Sequence, residues 1–207
     1  MTRIQPSKIV CVGRNYAKHA AELGNDVPVE PLIFLKPPSS LVFEGDDIVL
    51  PQGAGRVDFE GEIGVIIGRR ARNVAAADAW DCVEALIAVN DVTARDLQRT
   101  DGQWTRAKGF DSFCPVGTPI PLAEVDRSAL GVRTRVNGEV RQDGPASDMV
   151  FDIPAIIAHI SSIMTLEPGD LIATGTPDGI GPLSAGDEVV VEIVGVGSVT
   201  NRVVAGH

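Results

Sequence analysis

Aromatic residues are scarce in this chain. Among 207 residues there are two Trp, one Tyr and six Phe, so a core has to be built from Val, Ile, Leu and Ala. Cysteine is scarcer still. Cys11, Cys82 and Cys114 are odd in number, widely spaced and form no C-x-x-C pair. That pattern argues against a disulfide framework or a thiolate zinc set, and predicts three reduced, buried small side chains. Long apolar runs are missing as well: no stretch of 18 residues would span a bilayer. The opening MTRIQPSKIVCVGRNY has no apolar segment of the secretory kind, and a cytoplasmic location is expected. Positive charge is in deficit, with 18 Lys and Arg against 28 Asp and Glu and a net charge of −10. Nucleic acid and anionic membrane are therefore unfavourable partners. A small anionic substrate is compatible with the deficit, because a few local cations suffice to define a site.

What the chain does have is 22 Gly and 14 Pro, a composition that suggests many turns, as in a strand-rich fold. At roughly 100–200 residues per domain, one domain over residues 1–207 is expected. KIVCVG (8–13), LIFLKP (32–37) and DDIVL (46–50) read as short strands. NYAKHAAELG reads as a helical turn, with Asn15 as cap and Gly24 as stop, and NDVPVEP as a polar loop. Residues 75–90 read as a helix running into the strand LIAVN. VTARDLQRT reads as a helix, 101–119 as a loop and 154–164 as a helix ending before Pro168-Gly169. VRTRVNGEVRQDG signals a hairpin around Asn137-Gly138, a dipeptide suited to a type I′ turn. LIATG reads as a strand and EVVVEIVGVGSVTNRVV as a closing hairpin. There is no regular βαβ alternation, so an α+β or mainly-β class is favoured over a Rossmann fold.

One strand carries an anomaly. In VDFEGEIGVIIGRR (57–70), Glu60 and Glu62 interrupt a run made for burial. Side chains at i and i+2 of a strand share a face, and like charges so placed repel. A solvated edge face is one reading. Asp91, directly after the apolar LIAVN, supports another. If Asp91 opens a helix, then Asp91, Arg95 and Gln98 share one helical face; taken alone, Asp91 is equally a helix cap. Three carboxylates without His or Cys are hard oxygen donors, which suit Mg²⁺, Mn²⁺ or Ca²⁺ better than zinc. The expected cofactor is Mg²⁺ or Mn²⁺.

Taken together, GRNYAKHAAELG (13–24), PLIFLKP (31–37), VDFEGEIGVIIG (57–68), NDVTARDLQ (90–98), WTRAKGFDSFCPVG (104–117), VNGEVRQDG (136–144) and GDLIATGTPDGIGPL (169–183) resemble the fumarylacetoacetate hydrolase superfamily. They span nearly the whole chain in the expected order. The likeness is to the short branch with acylpyruvate hydrolases, oxaloacetate decarboxylases and hydroxyheptadienedioate isomerases. It implies a strand-rich α+β fold, a mixed β-sandwich or roll with peripheral helices, and a homodimer. Carried over residue by residue, it implies Glu60, Glu62 and Asp91 as metal ligands and Lys108 as a catalytic cation beside the developing oxyanion. Arg95, Gln98 and Thr176 would bind substrate, and the His19/Glu22 pair would activate water. Without that resemblance, His19 reads as an exposed helix residue, Lys108 as a solvated lysine and Arg95 as a surface partner of Asp91 or Asp96. His159 reads as structural and His207 is terminal.

The implied activity is hydrolysis of a carbon–carbon bond in acylpyruvate-type 2,4-dioxo acids, through a metal-stabilised pyruvate enolate. Oxaloacetate decarboxylation through the same enolate is a second activity. The alternative is an isomerase or decarboxylase acting on 2-hydroxyhepta-2,4-diene-1,7-dioate in aromatic catabolism. A catalytically silent metal- or carboxylate-binding protein is a further alternative, disfavoured by the joint presence of ligands, lysine, arginine and dyad. Two points stay open. Asp58 is either an outer partner of the site or exposed. LGNDVPVEPLIFL offers no cation for a distal substrate carboxylate, which favours a neutral distal group unless Arg14 or Lys18 reaches inward.

Overall fold

The computed structural model describes residues 3–22, 24 and 26–206. The elements begin with β1 (Ile9–Gly13), α1 (Ala17–Glu22), β2 (Leu32–Lys36), β3 (Leu41–Phe43) and β4 (Asp47–Leu50). Then come β5 (Val57–Phe59), β6 (Gly61–Ile67), β7 (Val83–Asn90), β8 (Thr93–Ala94), α2 (Arg95–Thr100) and α3 (Thr105–Lys108). β9 (Cys114–Val116), β10 (Ile120–Pro121), β11 (Gly131–Val136), β12 (Glu139–Pro145) and α4 (Ile153–Ile163) follow. The chain closes with β13 (Leu171–Ala173), β14 (Gly181–Pro182), β15 (Glu188–Ile193) and β16 (Gly197–Ala205). This is the expected strand-rich α+β fold with mixed sheets and peripheral helices. Leu23, Asn25 and His207, on which the first helix, the polar loop and a terminal histidine were placed, lie outside the described residues.

The largest sheet runs β2-β1-β13-β6-β7-β9-β3, with β10 added to β7. A five-stranded sheet, β12-β11-β15-β16-β4, packs against it, and a small third sheet joins β14, β5 and β8. Alternation explains why the middle strands read as continuous apolar runs. Ile63, Val65 and Ile67 of β6 face the main core, together with Val10, Val12, Leu86 and Ala88 and the inward side of the second sheet, Val132, Val191 and Val203. Ile66 faces the other way and packs with Ile9, Cys11, Ile87, Val89 and Cys114 in a second buried cluster. Both faces of β6 are thus covered, and each fully buried Ile contributes about 1.5–3 kcal/mol. All three cysteines are buried and free, as expected. Burial pushes the Cys114 thiol up to about 12 and that of Cys11 upward as well, so neither is a nucleophile at neutral pH.

Several local expectations change. The opening strand breaks at Glu60, so β5 and β6 are separate and belong to different sheets. The helix predicted from residue 75 is a short 3₁₀ segment, Ala76–Cys82, and the strand already begins at Val83. Residues 101–119 are not all loop, since they contain α3 and β9. Asn15 holds the chain across a gap: its Nδ2 donates to Phe151 O (3.0 Å) and Thr174 O (2.8 Å), and its Oδ1 accepts from Phe151 N (2.9 Å). Asp152 caps α4 by accepting from Ala155 N, with Pro154 in the first turn.

The hairpin is as read. Asn137 and Gly138 have φ of 52° and 82°, the two left-handed positions of a type I′ turn. A Cβ at Gly138 would meet nothing within 4 Å, so Gly138→Ala isolates the backbone cost of the left-handed conformation. We expect a loss of about 1 kcal/mol, seen as a melting point lower by roughly 2–4 °C; an unchanged melting point refutes the turn assignment.

Candidate metal and substrate site

β6 and β7 pair antiparallel, with Gly61 opposite Asn90 and Glu62 opposite Val89. The start of one strand therefore meets the end of the other. Asp91 N donates to Glu60 O at 2.8 Å, and Glu60 N donates to Asn90 Oδ1 at 2.9 Å. This juncture places Glu60, Glu62 and Asp91 together, each buried, with carboxylate oxygens all within 4.8 Å of one another. Asp91 does not open the following helix. α2 begins at Arg95, so Asp91 reaches the site from the strand end and only Arg95 and Gln98 share the helix.

The bend between the glutamates depends on close contacts. A Cβ on Gly61 would fall 2.2 Å from Thr134 Oγ1, so a side chain there would drive the two sheets apart. Gly61 N donates to Gln142 Oε1 (3.0 Å), and Gln142 Nε2 donates to Thr176 Oγ1 (2.7 Å) and Pro177 O (2.8 Å). Thr176 Oγ1 in turn donates to Gly61 O (2.8 Å), and Gly175 N donates to Glu62 Oε2 (2.7 Å). Buried Gln142 thus fastens the T-G-T-P loop to the E-G-E bend. In the sequence it was only a letter of a hairpin block.

Cations surround the cluster. Lys108, the last residue of α3, donates to Glu60 Oε2 (2.7 Å) and to Asp91 Oδ2. Arg95 donates to Glu60 Oε1, to Asp58 Oδ2 (2.9 Å) and to Gln98 Oε1 (2.8 Å). Asp58 is fully buried and also accepts from Arg56 (2.6 and 3.0 Å), which makes it an outer partner of the site. Lys36, at the end of β2, donates to Asp91 Oδ1 (2.6 Å) and Val92 O (3.2 Å). Sequence reasoning missed Lys36, which stood between an apolar run and two prolines and gave no sign of burial.

The charges do not balance evenly. Burial alone would raise Glu60, but Arg95, Lys108 and His19 outweigh it and hold its pKa well below the usual carboxylate range. Burial would likewise favour a neutral Lys108, yet Asp91 and Glu60 keep it protonated and its pKa raised. Glu62 is the opposite case. Burial and the neighbouring Asp91 and Glu60 carboxylates push it well above its ordinary value. Among the described residues no basic side chain pairs with it. Three hard oxygen donors, one of them short of a cation, fit a divalent ion that prefers oxygen. Carboxylate oxygens carry enough lone pairs to serve an ion and Lys108 together.

Glu60, Glu62, Asp91 and Lys108 open into a cavity of about 350 Å³, at the small end for ligand sites. Arg95, Gln98, Thr176 and His19 line it too, so the cavity brings together every sequence-selected site residue except Glu22. Phe34 and Trp104 form an apolar wall, packed edge-on with centroids 5.2 Å apart. His19, on α1, is buried; its Nε2 lies 4.0 Å from Glu60 Oε1 and its Nδ1 3.5 Å from Glu22 Oε2. Among the described residues Nδ1 has no closer polar partner than Glu22, and Glu22 accepts from Gly179 N at 3.3 Å. Burial lowers the His19 pKa below its ordinary value; Glu60 opposes this and Arg95 adds to it. Of the two cations considered for the entrance, Arg14 lines the cavity, whereas Lys18 is exposed and 3.9 Å from Asp148.

Comparisons with known proteins place the fold in a family. Residues 8–204 match the family model described as fumarylacetoacetate (FAA) hydrolase C-terminal. The chain is 46% identical over 200 residues to the mitochondrial oxaloacetate tautomerase FAHD1 of Arabidopsis thaliana, covering 94% of this chain and 90% of that one. It is similar to the crystal structure of 2-hydroxyhepta-2,4-diene-1,7-dioate isomerase from Mycobacterium marinum, with a TM-score of 0.89, 48% identity, and coverage of 98% and 76%. It is also similar to fumarylpyruvate hydrolase from Pseudomonas aeruginosa in complex with Mn²⁺ and pyruvate, with a TM-score of 0.92, 29% identity, and coverage of 99% and 92%.

Proposed function

The chain belongs to the fumarylacetoacetate hydrolase family, and from that premise we propose that it is a Mg²⁺- or Mn²⁺-dependent enzyme that cleaves acylpyruvate-type 2,4-dioxo acids by C–C hydrolysis. The observation that carries this reading is the buried Glu60/Glu62/Asp91 cluster at the base of a small cavity. It is supported by the structural neighbour that holds Mn²⁺ and pyruvate. Bound at these carboxylates, a divalent ion would supply Lewis-acid stabilisation of a 2-oxo acid enolate. The chain's own groups do the rest. Lys108 stays protonated and offers positive charge to the developing oxyanion. Arg95 and Gln98 hold the substrate from α2, and Thr176 holds it from the T-G-T-P loop. Phe34 and Trp104 exclude water from one side. His19, neutral at pH 7 because its pKa is lowered, accepts a proton from the attacking water, and Glu22 orients the ring. A homodimer in the cytoplasm belongs to the same reading; sedimentation at micromolar concentration tests the dimer.

A second reading is favoured by a specific observation. His19 Nδ1 lies 3.5 Å from Glu22 Oε2, at the outer limit of a hydrogen bond, and a relative at 46% identity is an oxaloacetate tautomerase. Decarboxylation of oxaloacetate passes through the same pyruvate enolate, tautomerisation passes through the enolate of oxaloacetate itself, and neither needs an activated water.

The test is a paired assay on metal-stripped protein with Mg²⁺ restored or withheld. Acetylpyruvate cleavage and oxaloacetate turnover are followed side by side, each corrected for the metal-catalysed background. Mg²⁺-dependent acetylpyruvate cleavage supports the hydrolase; oxaloacetate turnover alone replaces it with the second reading. His19→Ala is expected to lower hydrolysis by roughly 10²–10⁴-fold while leaving decarboxylation within a few-fold. Hydrolysis at full rate in that variant removes His19 from the mechanism. The acid limb of the hydrolysis profile is expected below pH 6.5, since a lowered His19 pKa keeps the free base present to lower pH.

A further inference from the structure

Among the described residues four with cationic side chains line the cavity: Arg14, Arg95, Arg99 and Lys108. Three are already engaged. Arg95 pairs with Asp58 and Glu60, Lys108 with Glu60 and Asp91, and Arg99 with Asp96. Arg14 has no carboxylate partner among the described residues. It is half-buried, and its backbone is unusual, with φ of 58°. Arg gains nothing from the left-handed region, which Asn and Gly tolerate far better. Next to it, Asn15 clamps the chain to Phe151 and Thr174 and so fixes where residue 14 sits. An arginine on the cavity wall with no carboxylate partner among the described residues, in an unfavourable backbone conformation, is an arrangement to which function gives a reason.

Resting on the 2-oxo acid reading above, we propose that Arg14 binds a second, distal carboxylate of the substrate, so that the cavity prefers 2-oxo dicarboxylates to 2-oxo acids with a neutral tail. The carboxylate cluster takes the 2-oxo acid end through its ion. The distal end then extends towards Arg14, whose planar fork is matched to a carboxylate. This takes up the exception that the sequence left open, an inward Arg14, in place of the preference for a neutral distal group. It also narrows the hydrolase reading to 2,4-dioxo acids with an anionic end, and it suits oxaloacetate equally.

The test uses two acids of equal length, 2-oxoglutarate and 2-oxopentanoate, which differ in the distal carboxylate. Their dissociation constants are measured by titration calorimetry on the Mg²⁺-loaded protein, on Arg14→Gln and on Arg14→Lys. Gln and Arg are equally disfavoured at this φ, so the backbone is little perturbed. The unmodified protein is expected to bind the dicarboxylate about tenfold or more tightly than its neutral partner, as a charge-assisted pair would give. Arg14→Gln should bring the two affinities within about twofold by weakening the dicarboxylate alone, and Arg14→Lys should recover part of the gap. A gap that survives Arg14→Gln, or an equal weakening of both acids, overturns the assignment to Arg14 and leaves the functional reading intact. Binding of neither acid by the unmodified protein overturns the functional reading, and this assignment with it.

Discussion

Replacing Glu62 with Gln is expected to abolish metal-dependent turnover without weakening the metal-free fold. The two halves of this result have one cause. Glu62 is buried beside Asp91 and Glu60, has no basic partner among the described residues, and its pKa is raised. An acid whose folded pKa lies above its unfolded value gives the fold stability that is fully present below the ordinary carboxylate range. That stability is lost as the pH rises towards the folded pKa. Above the ordinary carboxylate range this acid is therefore a cost to the metal-free protein. Gln keeps the shape and still accepts from Gly175 N, but carries no charge. Metal-free E62Q should thus melt at or above the unmodified protein at pH 8, and its advantage should shrink as the pH falls towards 4. Mg²⁺ should raise the melting point of the unmodified protein by mass action and leave that of E62Q nearly unmoved. Turnover should fall by roughly a thousandfold or more, since Lewis-acid stabilisation supplies several kcal/mol of barrier reduction. An undiminished Mg²⁺ shift in E62Q would remove Glu62 from the metal site. A metal-free E62Q that melts far lower at pH 8 would refute the electrostatic account.

The parts of the fold that could be read from sequence are those fixed by local chemistry. Asn137-Gly138 declares its turn because both positions need positive φ, and β15 and β16 declare themselves by β-branched content. Residues 76–82 misled because Ala76, Ala77 and Ala79 suit a helix, while the strand that follows from Val83 has its place in the centre of a sheet. Tertiary packing decided that boundary, not propensity. The site divides in the same way. Glu60 and Glu62 were visible as charges inside an apolar run, and Asp91 as a charge directly after one. The route to their meeting was misjudged: Asp91 arrives by strand pairing across β6 and β7, not on the helix with Arg95. Lys36 and Gln142 were invisible as site residues because burial by partners distant in sequence leaves no local mark. Asp58 could not be placed for the same reason, since only the structure brings Arg95 to it.

The lysines lead to the second large effect. Lys108→Met and Lys36→Met are expected to destabilise the protein to a similar degree and to differ sharply in activity. Each lysine is buried, and each neutralises buried carboxylates: Lys108 serves Glu60 and Asp91, and Lys36 serves Asp91. Removing one partner of a buried pair leaves an uncompensated charge and costs about 3–5 kcal/mol. For a chain of this size that corresponds to a melting point lower by roughly 10 °C. Met fills most of the lysine volume, so little of the loss comes from packing. The carboxylates so exposed to one another are the same ones that are placed to hold a divalent ion. Mg²⁺ should therefore stabilise Lys108→Met more than it stabilises the unmodified protein, a recovery that a simple packing defect would not show. Activity separates the two residues, because Lys108 lines the cavity and Lys36 does not. With both variants held below their melting points and saturated with Mg²⁺, Lys108→Met should lose roughly 10²–10³-fold in kcat, the scale of a removed oxyanion donor. Lys36→Met should keep kcat within about tenfold. Equal losses of kcat in fully folded variants would give Lys36 a part in the chemistry, and unchanged melting in both would mean that the buried charges are compensated in some other way.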